Sequence, residues 1–286
     1  MPATFILLAL AMIAFAANSV FARLALGAAH LDAAGYSGVR LIAGAVMLAL
    51  LLIARNGAGE LAATIRRRAK WSAAAALFGY MIGFSYAYTL LATGTGALIL
   101  FASVQISMLA WALIKGDRPP ALALAGMAVA LGASVYLVSP GITAPDPLGA
   151  ALMVAAGLSW AAYTLIGRGS TEPLADTASA FVLNAPVAVL LGLVSLGYGH
   201  HDMPGLIYAI ASGAIASGIG YAIWYAVLPK LSRSTAAIVQ LSVPLIAAAG
   251  GIVFLGEGLT WRLTISGALI LGGLGMTIVA NTRRIS

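Results

Sequence analysis

From Phe5 to Ala280 the chain is a succession of apolar stretches, and no polar block between them is long enough to fold alone. An α-helix rises about 1.5 Å per residue, so roughly twenty apolar residues cross a hydrocarbon layer of about 30 Å. In lipid every backbone N–H and C=O must be bonded within the segment, which makes these stretches helices. Charged residues are 8% of the chain, against about 25% in an ordinary soluble domain. Lipid is therefore the main solvent, and no soluble domain is expected. The run from Phe5 to Phe21 has no basic region before it and is too long for a signal h-region. A further apolar segment follows at once, so it reads as a first span rather than a cleaved leader.

Breaks at charges, prolines and glycine clusters divide the chain into ten spans. These are Ala3–Leu24, Ala33–Ala54, Trp71–Ala92, Thr95–Ile114, Pro120–Val138, Leu148–Gly167, Ala178–Leu196, Gly205–Leu228, Ser234–Leu255 and Trp261–Ala280. A tight turn is expected across Ala92-Thr93-Gly94-Thr95-Gly96, because a single helix through it would overshoot any bilayer. With a cytoplasmic N-terminus, twelve of the fifteen Lys and Arg fall on the inner side, leaving Arg23, Arg40 and Arg262 outward of the midplane. The positive-inside rule then predicts both termini in the cytoplasm of a multi-pass inner-membrane protein, with lipid as its surroundings.

The chain also repeats itself. Phe15-Ala16-Ala17-Asn18-Ser19-Val20-Phe21-Ala22-Arg23 aligns without gaps on Trp160-Ala161-Ala162-Tyr163-Thr164-Leu165-Ile166-Gly167-Arg168. Further along, Gly83-Phe84 and Tyr88 match Gly220-Tyr221 and Tyr225. Gly116-Asp117 matches Gly256-Glu257, and Leu131-Gly132 matches Leu271-Gly272, all in the same order. Five spans is an odd number, so two such halves, 1–140 and 147–286, enter the bilayer from opposite sides. The expected fold is all-α, ten transmembrane helices as two inverted five-helix repeats, an architecture that transporters use with the solute site near midplane. The connection after the second span holds Arg66-Arg67-Arg68 and Lys70, whereas its counterpart from Gly197 to Pro204 has His200 and His201 but no Lys or Arg.

These ordered motifs resemble the EamA-type transporters of the drug/metabolite transporter superfamily. The resemblance covers nearly the whole chain and includes a Pro244…Leu255-Gly256-Glu257 signature, degraded in the first half to Gln105 and Gly116-Asp117. The Tyr- and Trp-rich third, sixth and eighth spans are similar to those of YddG-type aromatic amino-acid exporters. That likeness implies outward transport of aromatic and other hydrophobic amino acids. The alternative within the superfamily is a lipophilic drug or metabolite exporter.

Polar residues in mid-span usually face the bundle interior. Phe101 and Gln105, and their counterparts Gln240 and Pro244, are i,i+4 pairs, so Gln105 and Gln240 are candidate cavity residues and Pro244 frees a carbonyl there. Interhelical bonding by glutamine is the competing reading. Trp160 and Tyr163 occupy places matching Phe15 and Asn18; Tyr80, Phe84 and Tyr88 form a stripe; Tyr221, Trp224 and Tyr225 form a cluster. Trp160, Tyr163, Tyr80, Phe84, Tyr221, Gln105, Gln240 and Asn18 are the candidate substrate-binding residues, with helix packing as the alternative for the aromatic stripe. Trp71 and Trp261 read as an interface belt. Arg40 is a charge inside a span; the favoured reading has it snorkel outward or bond helix ends, since its counterpart is the neutral Asn184, and a ligand for a substrate carboxylate is the alternative. Gly83, Gly220, Gly272 and Gly273 are expected to allow close helix approach or hinge motion.

Other chemistries find little support. There is no cysteine, hence no disulfide, thiolate nucleophile or Cys-bound metal. No predicted span contains Asp or Glu, His30, His200 and His201 sit in outer connections, and no His-Glu-x-x-His spacing occurs, so neither an enzyme, a metal site nor a cofactor is expected. The net charge of +7 sits in short connections, where it sets orientation rather than binding nucleic acid. A small neutral amphipathic solute is the expected partner, moved by alternating access without an intramembrane proton-carrying carboxylate.

Overall fold

The computed structural model describes residues 2–116, 118–141, 144–231 and 233–283. Apolar runs form helices that start and stop where side chains or glycines handle the orphan backbone groups. After α1 (Pro2–Gly27), α2 (Ala33–Asn56) begins where the Asp32 carboxylate accepts the Ala34 and Gly35 amides, and ends at Gly57, whose φ is +86°. Then follow α3 (Leu61–Arg68), α4 (Trp71–Tyr88), α5 (Thr93–Ile114), α6 (Ala121–Val138) and α7 (Pro147–Ile166). Asp146 caps α7 through the Gly149 amide at 2.7 Å, with Pro147 at the first position, where its missing N–H costs nothing. The remainder is α8 (Pro173–Leu183), α9 (Ala185–Tyr198), α10 (Met203–Ile210), a π-helical stretch Ala211–Ile219, α11 (Gly220–Val227), α12 (Arg233–Gln240), α13 (Ser242–Leu255) and α14 (Trp261–Arg283).

Eight helices among the described residues are long and apolar enough to cross a membrane, and the bent pair α8 and α9, which meet at 45°, makes a ninth if counted as one span. The protein is thus an all-helical, multi-pass membrane protein. The ten spans expected from sequence exceed this number by one segment, α4. Its 18 residues include Trp71, Tyr80, Tyr86 and Tyr88, which lower its hydropathy, and it lies against α7.

Several boundaries differ from expectation. The turn between the third and fourth segments falls at Thr89–Ala92; Thr93–Gly96 is instead the first turn of α5. The reason is distant in sequence. Glu257 accepts the Thr93 amide at 2.9 Å and the Thr93 hydroxyl at 3.0 Å, capping α5 from the α13–α14 connection, and Arg23 pairs with the same carboxylate at 3.4 Å. The seventh segment starts five residues early and takes in Asp176, contrary to the expectation that no span carries an acid. The Arg68 guanidinium, 3.0 Å away, pairs with that carboxylate. Of the other expectations, Asp117 and Arg284 lie outside the described residues.

Small residues bring the helices together. A Cβ on Gly83 would sit 2.9 Å from the Leu152 carbonyl of α7, and one on Gly220 would sit 3.0 Å from Ala14 of α1. Gly273 meets the Gly126 carbonyl of α6, and Thr277 donates across the same contact to Ala123 O at 3.0 Å. Gly272 departs from expectation: nothing lies within 4 Å of its missing Cβ, because it points away from the α6 contact that Gly273 makes. Trp71 and Trp261 stand exposed at the first positions of α4 and α14.

Both ends of α2 are tied to distant connections. At its start, Leu31 and His201 form an isolated antiparallel bridge, flanked by Asp32 N–H to His200 O (3.0 Å) and Asp202 N–H to His30 O (2.9 Å). The His30 ring nitrogen lies 2.7 Å from the Asp202 carboxylate. The Gly205 amide, and after it His30, hold the exposed Asp202 carboxyl below the usual carboxylate range. Beyond its other end, Arg68 of α3 reaches Glu172 at 3.2 Å as well as Asp176.

Candidate substrate chamber

A stripe at i, i+4 and i+8 lies on one face of a helix, so Tyr80, Phe84 and Tyr88 of α4 point the same way. Close packing at Gly79 and Gly83 presses that helix onto α7. The indole of Trp160 consequently faces Tyr80, with ring centroids 4.8 Å apart. Tyr163, one turn on, stacks on Trp160 at 5.2 Å, and Tyr221 of α11 also stacks on it at 6.0 Å. Phe15 of α1 and Phe181 of α8 close on Tyr221 at 5.6 and 6.5 Å. Residues from five helices meet here. Each ring pair adds about 0.5–1.5 kcal/mol beyond the area it buries.

Polar atoms of the cluster are mostly matched. Tyr163 donates to the Thr177 hydroxyl at 3.0 Å, which lies equally near the Tyr225 hydroxyl, fastening α7 and α11 to α8. Asn18, from the candidate set, is buried in α1, and its carbonyl accepts from Ser212 at 2.8 Å and Ser217 at 3.2 Å. Those serines are five apart. The π-helical winding, with its i→i+5 bonds, is what brings both to one face. Asn18 therefore joins α1 to the π-helical stretch, and its amide oxygen is committed there.

Gln105 on α5 and Gln240, the last residue of α12, are both half-buried. Among the described residues no hydrogen bond connects either to the aromatic rings. Pro244 acts as its chemistry requires. Its missing N–H leaves the Gln240 carbonyl without a helical donor, and the helix breaks at Leu241. The Leu241 amide turns back to Ile238 O at 3.0 Å, and Ser242 Oγ donates to Val239 O at 2.7 Å. At the corresponding break between α8 and α9, Asn184 Nδ2 donates to Ala180 O and, across to α4, to Ala74 O at 3.0 Å.

Arg40 corrects the expectation most sharply. It neither snorkels nor caps a helix end, because it has no solvent exposure at all. Gly44 and Gly213 let the π-helical stretch close over α2 beside it. Its guanidinium lies 4.7 Å from the Phe84 centroid and 5.6 Å from that of Tyr80, and Nη2 donates to the Tyr80 hydroxyl at 3.3 Å. Sequence reasoning also missed Tyr36, Thr177 and Phe181. Tyr36 was readable, standing one turn from Arg40 on the same helix; Phe181 and Thr177 carried no local signal.

The arrangement is a packed cluster of aromatic faces with a few hydroxyls and one guanidinium. It offers stacking and hydrogen bonding. Four likenesses bear on what such a chain does. Residues 147–279 match the EamA-like transporter family. An uncharacterized protein of Pseudomonas aeruginosa is 45% identical over 281 residues, covering 98% of this chain and 96% of its own. A probable amino-acid metabolite efflux pump of Salmonella typhimurium is 27% identical over 68% of this chain and 71% of its own. The threonine/homoserine exporter RhtA of Escherichia coli is 29% identical over 46% of each. With its apolar helices, its inward aromatic rings and these full-length and partial likenesses, the chain belongs to the EamA-like transporter family.

Proposed function

We propose that this transporter exports neutral amino acids with apolar, above all aromatic, side chains. The observation that carries this reading is the stack on Trp160, where Tyr80, Tyr163 and Tyr221 from three helices lie within 4.8–6.0 Å of one indole. A planar or branched apolar side chain is favoured against such rings, while a phosphate or sugar nucleotide asks for clustered Arg or Lys that the stack lacks. Relatives named as an amino-acid metabolite efflux pump and a threonine/homoserine exporter support amino acids as the class. Threonine is the small polar comparison that the aromatic reading must beat.

The chain would work as ten spans in two inverted halves, 1–140 and 147–286, both termini in the cytoplasm of the inner membrane. The eight apolar helices, the bent pair α8–α9 counted once and α4 together make this number. Twelve of fifteen Lys and Arg on one side support the orientation. Movement would be alternating access down the solute gradient. Asp176 is paired with Arg68, and Glu257 with Arg23 and Thr93, so neither acid stands free in the chamber.

The purified protein in liposomes, offered phenylalanine, methionine, threonine and glutamate, tests the reading. Phenylalanine and methionine should move, threonine more slowly and glutamate not at all. Trp160→Ala should cut phenylalanine flux at least about tenfold, and Gln240→Ala should reduce it too. Normal flux in both variants removes the site; no amino-acid flux in the wild type removes the substrate class. Because the chain has no cysteine, Asp202→Cys and Arg67→Cys report topology directly. An impermeant thiol reagent outside intact cells should label only the first.

A further inference from the structure

Arg40 carries a charge that no carboxylate among the described residues pairs with. Its Nε and Nη1 have no hydrogen-bond partner, and the side chain is fully buried. The carboxylates that form ion pairs among the described residues are Glu172, Asp176, Asp202 and Glu257, and each does so with Arg23, His30, Arg67 or Arg68. Asp32 and Asp146 are spent on helix caps. What faces Arg40 is the ring of Phe84 and the phenols of Tyr80, Tyr36 and Tyr221, none of them anionic at neutral pH. A buried cation held only by aromatic faces and one neutral hydroxyl is satisfied when an anion arrives, and a guanidinium presents paired N–H groups that match the two oxygens of a carboxylate.

We infer that Arg40 is the carboxylate-binding end of the substrate site. The Tyr80 side chain links the two ends: its ring meets Trp160 at 4.8 Å and its hydroxyl occupies one Arg40 donor at 3.3 Å. The amino-acid side chain lies among the Trp160 rings and its α-carboxylate takes the place of the Tyr80 hydroxyl on Arg40, with Nε and Nη1 free to complete the contact. Asp176, the acid within electrostatic reach of Tyr163 and Tyr225, is paired with Arg68, so recognition is by the acid end. The inference rests on the exporter reading above and narrows it to solutes bearing a carboxylate.

Competition in wild-type proteoliposomes tests it without a variant. Phenylalanine flux should be inhibited by 3-phenylpropionate, which keeps the carboxylate and lacks the ammonium. Phenethylamine, with the opposite pattern, should be at least about tenfold weaker. Arg40→Gln should raise the KM for phenylalanine about 10- to 100-fold and erase the difference between the two analogues, while Arg40→Lys keeps part of both. Phenethylamine competing as well as 3-phenylpropionate in the wild type overturns the inference while leaving amino-acid export standing. So does an Arg40→Gln protein with lowered kcat but unchanged KM and analogue ranking, the result of a purely structural arginine. Should Arg40→Gln not fold, the wild-type ranking decides alone. Absence of any amino-acid flux in the wild type ends the exporter reading and this one with it.

Discussion

The segments that the sequence repeat pairs with one another do not fold alike. α2 and α5 are unbroken helices of 24 and 22 residues, whereas their partners are interrupted, α8–α9 at Asn184 and α12–α13 at Leu241. α4 is regular, and its partner holds nine residues of π-helix. Proline explains the first two differences. Pro186 and Pro244 remove an N–H two and three residues past their breaks, and the first half has Gln105 where the second has Pro244. The π-helical stretch has no proline and instead coincides with Asn18 accepting from two serines five residues apart. The second half thus holds the loose joints and the first half the rigid frame bearing Arg40, Tyr80 and Phe84. Under the alternating access proposed above, the bending falls in one half and the proposed carboxylate end of the site in the other.

Exchanging the proline tests that contrast most severely. Gln105→Pro breaks α5 in mid-helix without the Ser242-type compensation, and should cost about 3 kcal/mol or more, seen as loss of folded protein in detergent. Pro244→Ala, the converse change, should keep the fold with stability altered by no more than about 1 kcal/mol, and should slow transport several-fold. If Gln105→Pro folds as well as the wild type, the straightness of α5 is not a structural requirement.

Asn184→Ala comes next, because it removes both the local bond to Ala180 O and the bond that ties the bend to Ala74 of α4. A loss of about 1–2 kcal/mol in unfolding free energy is expected, and a value near zero would mean the bend is held by packing alone. Ser212→Ala and Ser217→Ala should each cost about 0.6 kcal/mol, the average for such bonds in a membrane. Both act on one acceptor, so their effects should be less than additive if the π-helical winding relaxes to an ordinary α-helix once either is gone.

The smallest effect belongs to the clasp at the start of α2. The Asp202 carboxyl titrates below the ordinary range in the folded protein, so its contribution is present above the usual Asp pKa of about 3.9 and is lost as pH falls through its lowered value. Acidification below about pH 4 should therefore lower the melting temperature of the wild type slightly more than that of Asp202→Asn. Identical acid profiles would show that the Leu31–His201 backbone bridge holds the clasp without the carboxylate.

Much of this was legible in the sequence, for reasons of range. Helix placement, the Asp146 and Pro147 start of α7 and the Pro244 break are local effects, set by residues within one turn. The i,i+4,i+8 aromatic stripe could be read from α4 alone. Its meeting with Trp160 and Tyr221 could be suspected from the repeat but not measured. The start of α5 was misread because its cap, Glu257, comes from 164 residues away. Asp176 falls in a connection when the seventh span is read from Ala178, and the partner that accommodates it in α8, Arg68, lies on another segment.

The sequence by itself determined that this chain lives in a membrane as a bundle of apolar helices, and where prolines interrupt them. Hydropathy and a missing N–H act wherever the residue happens to be. Only the tertiary structure decided which polar groups find partners: that Asn18 holds the π-helical serines, that Asp176 is paired, and that Arg40 is shut among aromatic rings with two donors unmet. The energy of a buried polar group depends on what surrounds it, and its surroundings here come from helices that only the fold brings together.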